Sequence, residues 1–597
     1  MDSSDHAIDL KNLKLEGLNH HQEVSITKTS ESFDIFESIK NEEFEEEVYR
    51  KQTRKRLVII SVSSILLVLL ILGAIIGILI PIHEKNNPVN EKYDPMIKTI
   101  CNSTLYKDSC YSSIYSLKTS SSNKNPPPDS DTPKSVFMLS LQVTFNELVR
   151  VKSSILNRLI YFAINDSITH NALKVCDHVI KDAISQVNMS MSSLQSIERF
   201  SDNSVISDLM TCLSTAITDQ TTCLDGLTEY KENIPPSILE ETRALMENAT
   251  VFTSNSLAII SNMFKIVRGF QISVNDHRRL LRVEEVRLRP NLTVAKDGSG
   301  DYRTITEAVK AMPRRSENRF FIYVKKGKYE ENVFVDSDSW NLMIYGDGMK
   351  KTIVSSSLNY MDGVATFNSG TFITEGRGFI ARDMGFKNKA GPAKLQAVAL
   401  RSSSDRTIFH RCHFDGYQDT LYTHSNRQYY RDCTITGTID FIFGNAAAVF
   451  QNCTIQPRQP GPGQYNTITA QSKSDPNQKT GFSIQRCRIS PFGNLTAATF
   501  LGRPWNNHST VVVMETDVQG IIDPAGWIKW APDSEVPDTI FYAEYNNTGP
   551  GSVISRRVKW PGYRPDITEE EAEKFHVDPF IQGSRFWSPT TKQGQKA

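Results

Sequence analysis

The chain has no excess of charge: 67 Lys and Arg balance 67 Asp and Glu over 597 residues. That balance withholds the one-signed field on which nucleic-acid binding depends, so no nucleic-acid partner is expected. Cysteine is absent from the first hundred residues, and so is the glycosylation pattern Asn-x-Ser/Thr. Long apolar runs are missing too, with one exception: Leu57 to Ile80 reads LVIISVSSILLVLLILGAIIGILI and contains no charge. At about 1.5 Å per residue it is long enough to cross a bilayer as a helix. It is longer than the apolar part of a cleaved signal and follows a tail of more than fifty residues, so it reads as an anchor.

What surrounds the run sets its orientation. Arg50, Lys51, Arg54, Lys55 and Arg56 stand just before it, which places residues 1–56 in the cytoplasm. That tail includes the acidic run Glu42 to Glu47, lacks sustained apolar periodicity and reads as mostly disordered. All nine cysteines lie beyond 57–80, where disulfides can form. The same is true of the sequons at Asn102, Asn165, Asn188, Asn248, Asn291, Asn452, Asn494, Asn507 and Asn546. A type II membrane precursor entering the secretory pathway is the expectation.

Residues 97–270 are rich in Leu, Ile, Ser and Asn at helical spacing, as in Val175-Cys176-Asp177-His178-Val179-Ile180, and predict a bundle of four helices. A linker, 271–291, contains Arg278-Arg279-Leu280-Leu281, a basic tetrapeptide at a module boundary that reads either as a processing site or as plain solvated charge. From 292 to 597 short β-branched and aromatic runs alternate with Gly, Asn and Asp turns. Cysteine recurs there in one register, in Phe409-His410-Arg411-Cys412, Tyr430-Arg431-Asp432-Cys433, Phe450-Gln451-Asn452-Cys453 and Ile484-Gln485-Arg486-Cys487. Units of about twenty residues that cannot bury an apolar face alone predict stacked coils, most simply an all-β parallel β-helix.

Stacking turns spacing into geometry. Asp419 and Asp440 are twenty-one residues apart, and Gln396 and Gln418 twenty-two, so each pair falls on neighbouring coils about 4.8 Å apart. Two carboxylates that close do not both ionise easily; one keeps a proton while the other stays a nucleophile. The glutamines supply amide donors for an oxyanion, or else form an internal amide ladder. Arg503 offers a two-pronged donor to Asp440 or to a substrate carboxylate, and Trp505 a face for a sugar ring. Cys433 and Cys453, one coil apart, are placed to bond across adjacent rungs, leaving Cys412 and Cys487 as buried apolar residues. Residues 282–597 hold 39 Lys and Arg against 33 Asp and Glu, which suits a polyanionic substrate as well as an ordinary surface.

Five motifs in order carry a resemblance: Gly391-Pro392 through Gln396-Ala397-Val398-Ala399-Leu400, Gly416-Tyr417-Gln418-Asp419-Thr420-Leu421-Tyr422, Asp440-Phe441-Ile442-Phe443-Gly444-Asn445, Leu501-Gly502-Arg503-Pro504-Trp505 and Val558-Lys559-Trp560-Pro561-Gly562-Tyr563. Over some 300 residues the module resembles carbohydrate esterase family 8, the pectin methylesterases. The resemblance implies a right-handed β-helix and methyl-ester hydrolysis of pectin (homogalacturonan), with neither metal nor cofactor. It implies that Asp440 is the nucleophile and Asp419 the proton donor and base. Gln418 and Gln396 then steady the oxyanion, while Thr366, Arg503, Trp505 and Phe441 meet the substrate. The Cys433–Cys453 disulfide is implied as well.

The bundle resembles the plant invertase and pectin methylesterase inhibitor family, most closely in Ala216-Ile217-Thr218-Asp219-Gln220-Thr221-Thr222-Cys223-Leu224-Asp225-Gly226. That implies disulfides Cys101–Cys110 and Cys176–Cys223 with Cys212 left over, and a bundle that restrains the catalytic module during export. Separate pectinesterase inhibitor proteins and a subtilisin-like processing protease are the further partners this implies, with secretion to the cell wall as the destination. Two other readings stand beside it: a binding bundle with a passive β-helix, and glycosidic hydrolysis or lyase cleavage. The last two need acid/base groups across a glycosidic bond or a Ca²⁺ site with clustered carboxylates, and neither pattern is clear.

Overall fold

The computed structural model describes residues 94–121, 132–162, 167–196, 203–269 and 288–583. The expected cytoplasmic tail at 1–56, the expected anchor at 57–80 and the tetrapeptide Arg278–Leu281 lie outside these residues. Among the described residues, no helix is long and apolar enough to cross a membrane.

Among the described residues, six helices come first: α1 (Pro95–Cys101), α2 (Lys107–Ser121), α3 (Pro133–Phe162), α4 (Ser167–Ser196), α5 (Asn203–Thr228) and α6 (Pro236–Gly269). Helix α3 starts where Thr132 and Ser135 exchange bonds: Thr132 Oγ1 accepts from Ser135 N–H at 3.2 Å, and Ser135 Oγ from Thr132 N–H at 3.0 Å. Pro133 follows at the first helical position, where a missing N–H is harmless. Helices α3 to α6 form the four-helix bundle. Disulfides Cys101–Cys110 and Cys176–Cys223 tie α1 to α2 and α4 to α5, and Cys212 remains a thiol.

Helix α5 is buried on two sides. Leu209, Leu213, Ala216 and Ile217 recur at helical spacing and fill the bundle core. The other face, equally buried, is polar: Ser207, Ser214, Thr215, Thr218 and Thr222. Buried polar groups require partners, and those partners belong to the second module.

That module is a parallel β-helix with sheets of eleven, seven and eight strands, every strand pairing parallel to its neighbours. The interior shows the coil spacing directly: the Phe409, Tyr430 and Phe450 rings stack with centroids 4.9 and 4.8 Å apart. The core of its interior lies between Val294 and Tyr563, so the inside of the coils is filled without the bundle, which covers apolar residues only on the outer wall.

The recurrent cysteine marks the bend from the eleven-strand to the eight-strand sheet. The residue before it takes a left-handed conformation, with φ of 51° at Arg411, 54° at Asp432, 54° at Asn452 and 53° at Arg486. The cysteine then points inward, and all four are free, buried thiols. The expected Cys433–Cys453 disulfide is not formed in this structure. Neighbouring rungs, about 4.8 Å apart, fall within the roughly 4.4–6.8 Å between α-carbons that a disulfide spans, so it is the direction of the side chains and not the rung spacing that keeps the sulfurs apart. Each thiol turns to backbone instead; Cys433 Sγ lies 3.3 Å from the carbonyls of Phe409 and Arg431.

Candidate active site

The seven-strand sheet carries the site. Its register sets one outward residue per coil in a row: Phe334, Ile373, Arg401, Tyr422, Phe443, Ala470 and Arg503. Two positions further along, the chain presents a second row that includes Glu375, Ser403, His424, Asn445, Ser472 and Trp505. Asp419 and Asp440 sit in the turns entering this sheet, at φ of 60° and 50°. Aspartate tolerates that conformation better than most residues, and the reversal there sends Phe441 inward. The turn is tight: a β-carbon on Gly437 would lie 2.2 Å from that of Phe441.

Asp440 is fully engaged. Arg503 Nη2 donates to Oδ2 at 2.6 Å and Nε to Oδ1 at 2.9 Å, while Thr467 Oγ1 donates to Oδ1 at 2.6 Å. The Thr467 hydroxyl also accepts from the Asp440 N–H at 2.8 Å. Three charge-assisted donors define an ionised carboxylate with a fixed orientation. Asp419 is the opposite case. Burial pushes its carboxyl well above the ordinary range, and the charges of Asp440 and Glu229 add to that against the opposing Arg503. The two acids are set apart by environment: one is pushed toward its protonated form, while the other is clamped by a guanidinium.

Gln396 and Gln418 precede adjacent strands, linked by Ala397 N–H donating to the Gln418 carbonyl at 3.3 Å. Gln396 Oε1 is buried without a hydrogen-bond partner. Arg503 lies flat on the Trp530 ring, 4.4 Å from its centroid, and Trp530 stacks on Trp505 at 6.0 Å. Phe441 does not line the site: it is fully buried in the coil interior, and the outward aromatic is Phe443, stacked on Tyr422 at 4.2 Å. Sequence reasoning passed over Thr467, Trp530, Tyr422 and Phe443; the strand alternation two residues after Phe441 was the signal for the last.

Helix α5 crosses this surface. Asp208 bonds Arg406 and Arg427 at 2.8 Å beyond one edge of the sheet. Thr215 donates to Asn426 Oδ1 at 3.0 Å, and Gln478 Nε2 donates to the Ser214 carbonyl at 2.9 Å. Asn445 Nδ2 meets Thr218 Oγ1, and His424 Nε2 meets Thr222 Oγ1, each at 2.9 Å. Just past the end of α5, Glu229 accepts from Thr366 N–H at 3.1 Å and from its hydroxyl. Helix α4 adds His178 against Glu375 at 2.8 Å, and α6 adds Ser254 against Asp475. Tyr422, Phe443 and Ala470 thereby join the bundle's apolar core. Burial, and secondarily Glu229, pushes the Asp225 carboxyl up to about 7.

A carboxylate anion and a carboxylic acid side by side on the wall of a right-handed parallel β-helix define a hydrolase class that works through an aspartate pair. Two family models match the chain: Pectinesterase over residues 291–584, and Plant invertase/pectin methylesterase inhibitor over 95–259. Pectinesterase 3 of Phaseolus vulgaris is 48% identical over 575 residues, 92% of this chain and 96% of that protein. Pectinesterase 1 of Arabidopsis thaliana is 45% identical over 518 residues, 83% of this chain and 86% of that protein. The solved pectin methylesterase from carrot is 48% identical, with a TM-score of 0.49 over 51% of this chain and 96% of its own. The chain belongs to the pectinesterase family and carries an inhibitor-family domain ahead of the catalytic one.

Proposed function

We propose that this chain hydrolyses the methyl esters of pectin to pectate and methanol, with Asp440 as nucleophile and Asp419 as acid and then base. The observation that carries the reading is the divided environment of the pair: Asp440 is clamped by Arg503 and Thr467, while burial pushes Asp419 toward its protonated form. Asp440 attacks the ester carbonyl carbon, and amide groups of Gln396 and Gln418 receive the oxyanion. Asp419 gives its proton to the methoxy oxygen, the C–O bond breaks and methanol leaves. An acyl anhydride on Asp440 remains. Asp419, now ionised, takes a proton from water; the hydroxide oxygen attacks the acyl carbon and releases galacturonate, restoring both aspartates.

The bundle restrains this activity, because α5 lies over the catalytic coils and Glu229 occupies the donors of Thr366. Anchoring by 57–80, cleavage at Arg278–Leu281 and delivery to the cell wall complete the proposal, supported by the uncharged run and the sequons beyond it. The test is methanol release from highly methylated pectin by residues 288–597, by its Asp440→Ala variant and by a chain that also contains 94–287. Release without chain shortening, a drop of about a thousandfold or more in the variant and suppression by the bundle are expected. A folded, inactive wild-type module would sink the esterase reading in favour of a binding role.

A further inference from the structure

His424 and Asn445 lie one coil apart, directly beyond Tyr422 and Phe443 and on the coils of Asp419 and Asp440. Neither takes part in the chemistry above, yet each is held in one orientation by partners below it. Arg401 Nη1 donates to Ser403 Oγ at 2.8 Å, and Ser403 Oγ lies 3.0 Å from His424 Nδ1, while Thr222 Oγ1, whose own hydrogen goes to the Thr218 carbonyl, can only accept from His424 Nε2 at 2.9 Å. The hydrogen on the imidazole then belongs to Nε2, which faces the groove. Asn445 Oδ1 accepts from Gln471 Nε2 at 2.9 Å and from Thr480 Oγ1 at 2.7 Å, which turns its amide N–H₂ the same way. Two N–H donors are thus fixed beside the catalytic pair.

What meets them is a pair of oxygens that can only accept. Thr222 Oγ1 spends its hydrogen on the Thr218 carbonyl at 2.9 Å, and Thr218 Oγ1 on the Ser214 carbonyl at 3.0 Å. The gap left between α5 and the groove, bounded by Asp225, Tyr422, His424 and Trp505, holds no more than a water molecule, so helix and glycan exclude one another. We infer that His424 and Asn445 are substrate-binding residues of the glycan groove, donating to hydroxyl oxygens of the galacturonan chain, and that Thr222 and Thr218 of the bundle stand in for those oxygens. The assignment deepens the pectin-esterase reading and rests on it for the identity of the glycan. Removing α5 leaves two oriented donors unpaired, and a sugar hydroxyl restores each bond without rearranging the wall.

The experiment uses residues 288–597, whose core is closed, and the chain that includes the bundle. It compares wild type with His424→Leu, His424→Gln and Asn445→Asp. Two readouts are taken: steady-state methanol release, and the Kd of an unesterified oligogalacturonide from tryptophan fluorescence. His424→Leu and Asn445→Asp should raise KM and Kd about three- to tenfold with kcat within about twofold, and His424→Gln, which keeps an N–H donor, should recover most of the loss. The same two variants should loosen inhibition in the longer chain. If they relieve inhibition there while KM and Kd of the module stay at wild type, the residues are only a seat for the bundle and the inference fails. Should His424→Leu not fold, Asn445→Asp carries the same comparison. A module that binds the oligogalacturonide through these residues but releases no methanol would overturn the esterase reading and leave this one standing.

Discussion

Arg503 and Thr467 show why a single side chain in this site has no conservative replacement. Arg503 grips both oxygens of Asp440 through two nitrogens and rests its flat face on Trp530, a combination that lysine cannot reproduce. Arg503→Lys should lower kcat for methanol release by about a hundredfold with a smaller change in KM, read by steady-state kinetics; equal loss in KM alone would reassign the residue to substrate binding. The aspartates themselves were legible in the sequence because equal spacing inside a repeat converts to adjacency on a wall. Phe441 was not, because the left-handed turn at Asp440 shifts which residue of Phe441-Ile442-Phe443 faces out. Cys433 and Cys453 do lie one coil apart, as their spacing gives, but each sulfur turns to backbone carbonyls in this structure and not to the other, a choice of side-chain direction that the spacing does not encode.

At the scale of elements, the two modules depend on different cross-links. The bundle has Cys176–Cys223, closing a separation of 47 residues, whereas the coils hold four thiols and no disulfide among the described residues. A loop of that size corresponds to about 4 kcal/mol of constraint on the unfolded chain. Cys223→Ser should therefore lower the unfolding temperature of the bundle and raise basal methanol release by the longer chain, with the melting of the β-helix unmoved. Calorimetry resolving the two transitions checks this, and a shift of the β-helix transition would contradict it. Helix α5 was readable from sequence as a helix, yet its second buried face was not. Thr218 and Thr222 find Asn445 and His424 more than two hundred residues away, and no local pattern announces such partners.

In the whole molecule, besides the ion pairs of Asp208 and of His178 with Glu375, the junction between enzyme and cover holds acids pushed toward their neutral form. Burial, and then Glu375, pushes Asp182 up to about 6, and burial with Glu229 pushes Asp225 up to about 7, both from an ordinary value of 3.8. Groups raised in the docked state bind more protons there than when released. Their contribution to docking is therefore complete below about pH 4 and is lost as pH rises through 6 and 7. With the linker cut, the bundle should dissociate more readily at pH 8 than at pH 5, measured by gel filtration or titration calorimetry. Tighter association at the higher pH would show that other charges control the seat.

The outward row of the seven-strand sheet also decides what kinds of length change this protein tolerates. Tyr422 to Phe443 takes 21 residues, Phe443 to Ala470 takes 27 and Ala470 to Arg503 takes 33, yet each step is one rung. Position in the site is counted in rungs, and the residues between them are slack. An insertion in the turn 458–465 or 490–498 therefore leaves Arg503 opposite Asp440. Deleting one whole rung between them keeps every strand paired and still moves that guanidinium by about 4.8 Å. For this enzyme, the number of coils between two motifs, and not the number of residues, decides whether their side chains meet.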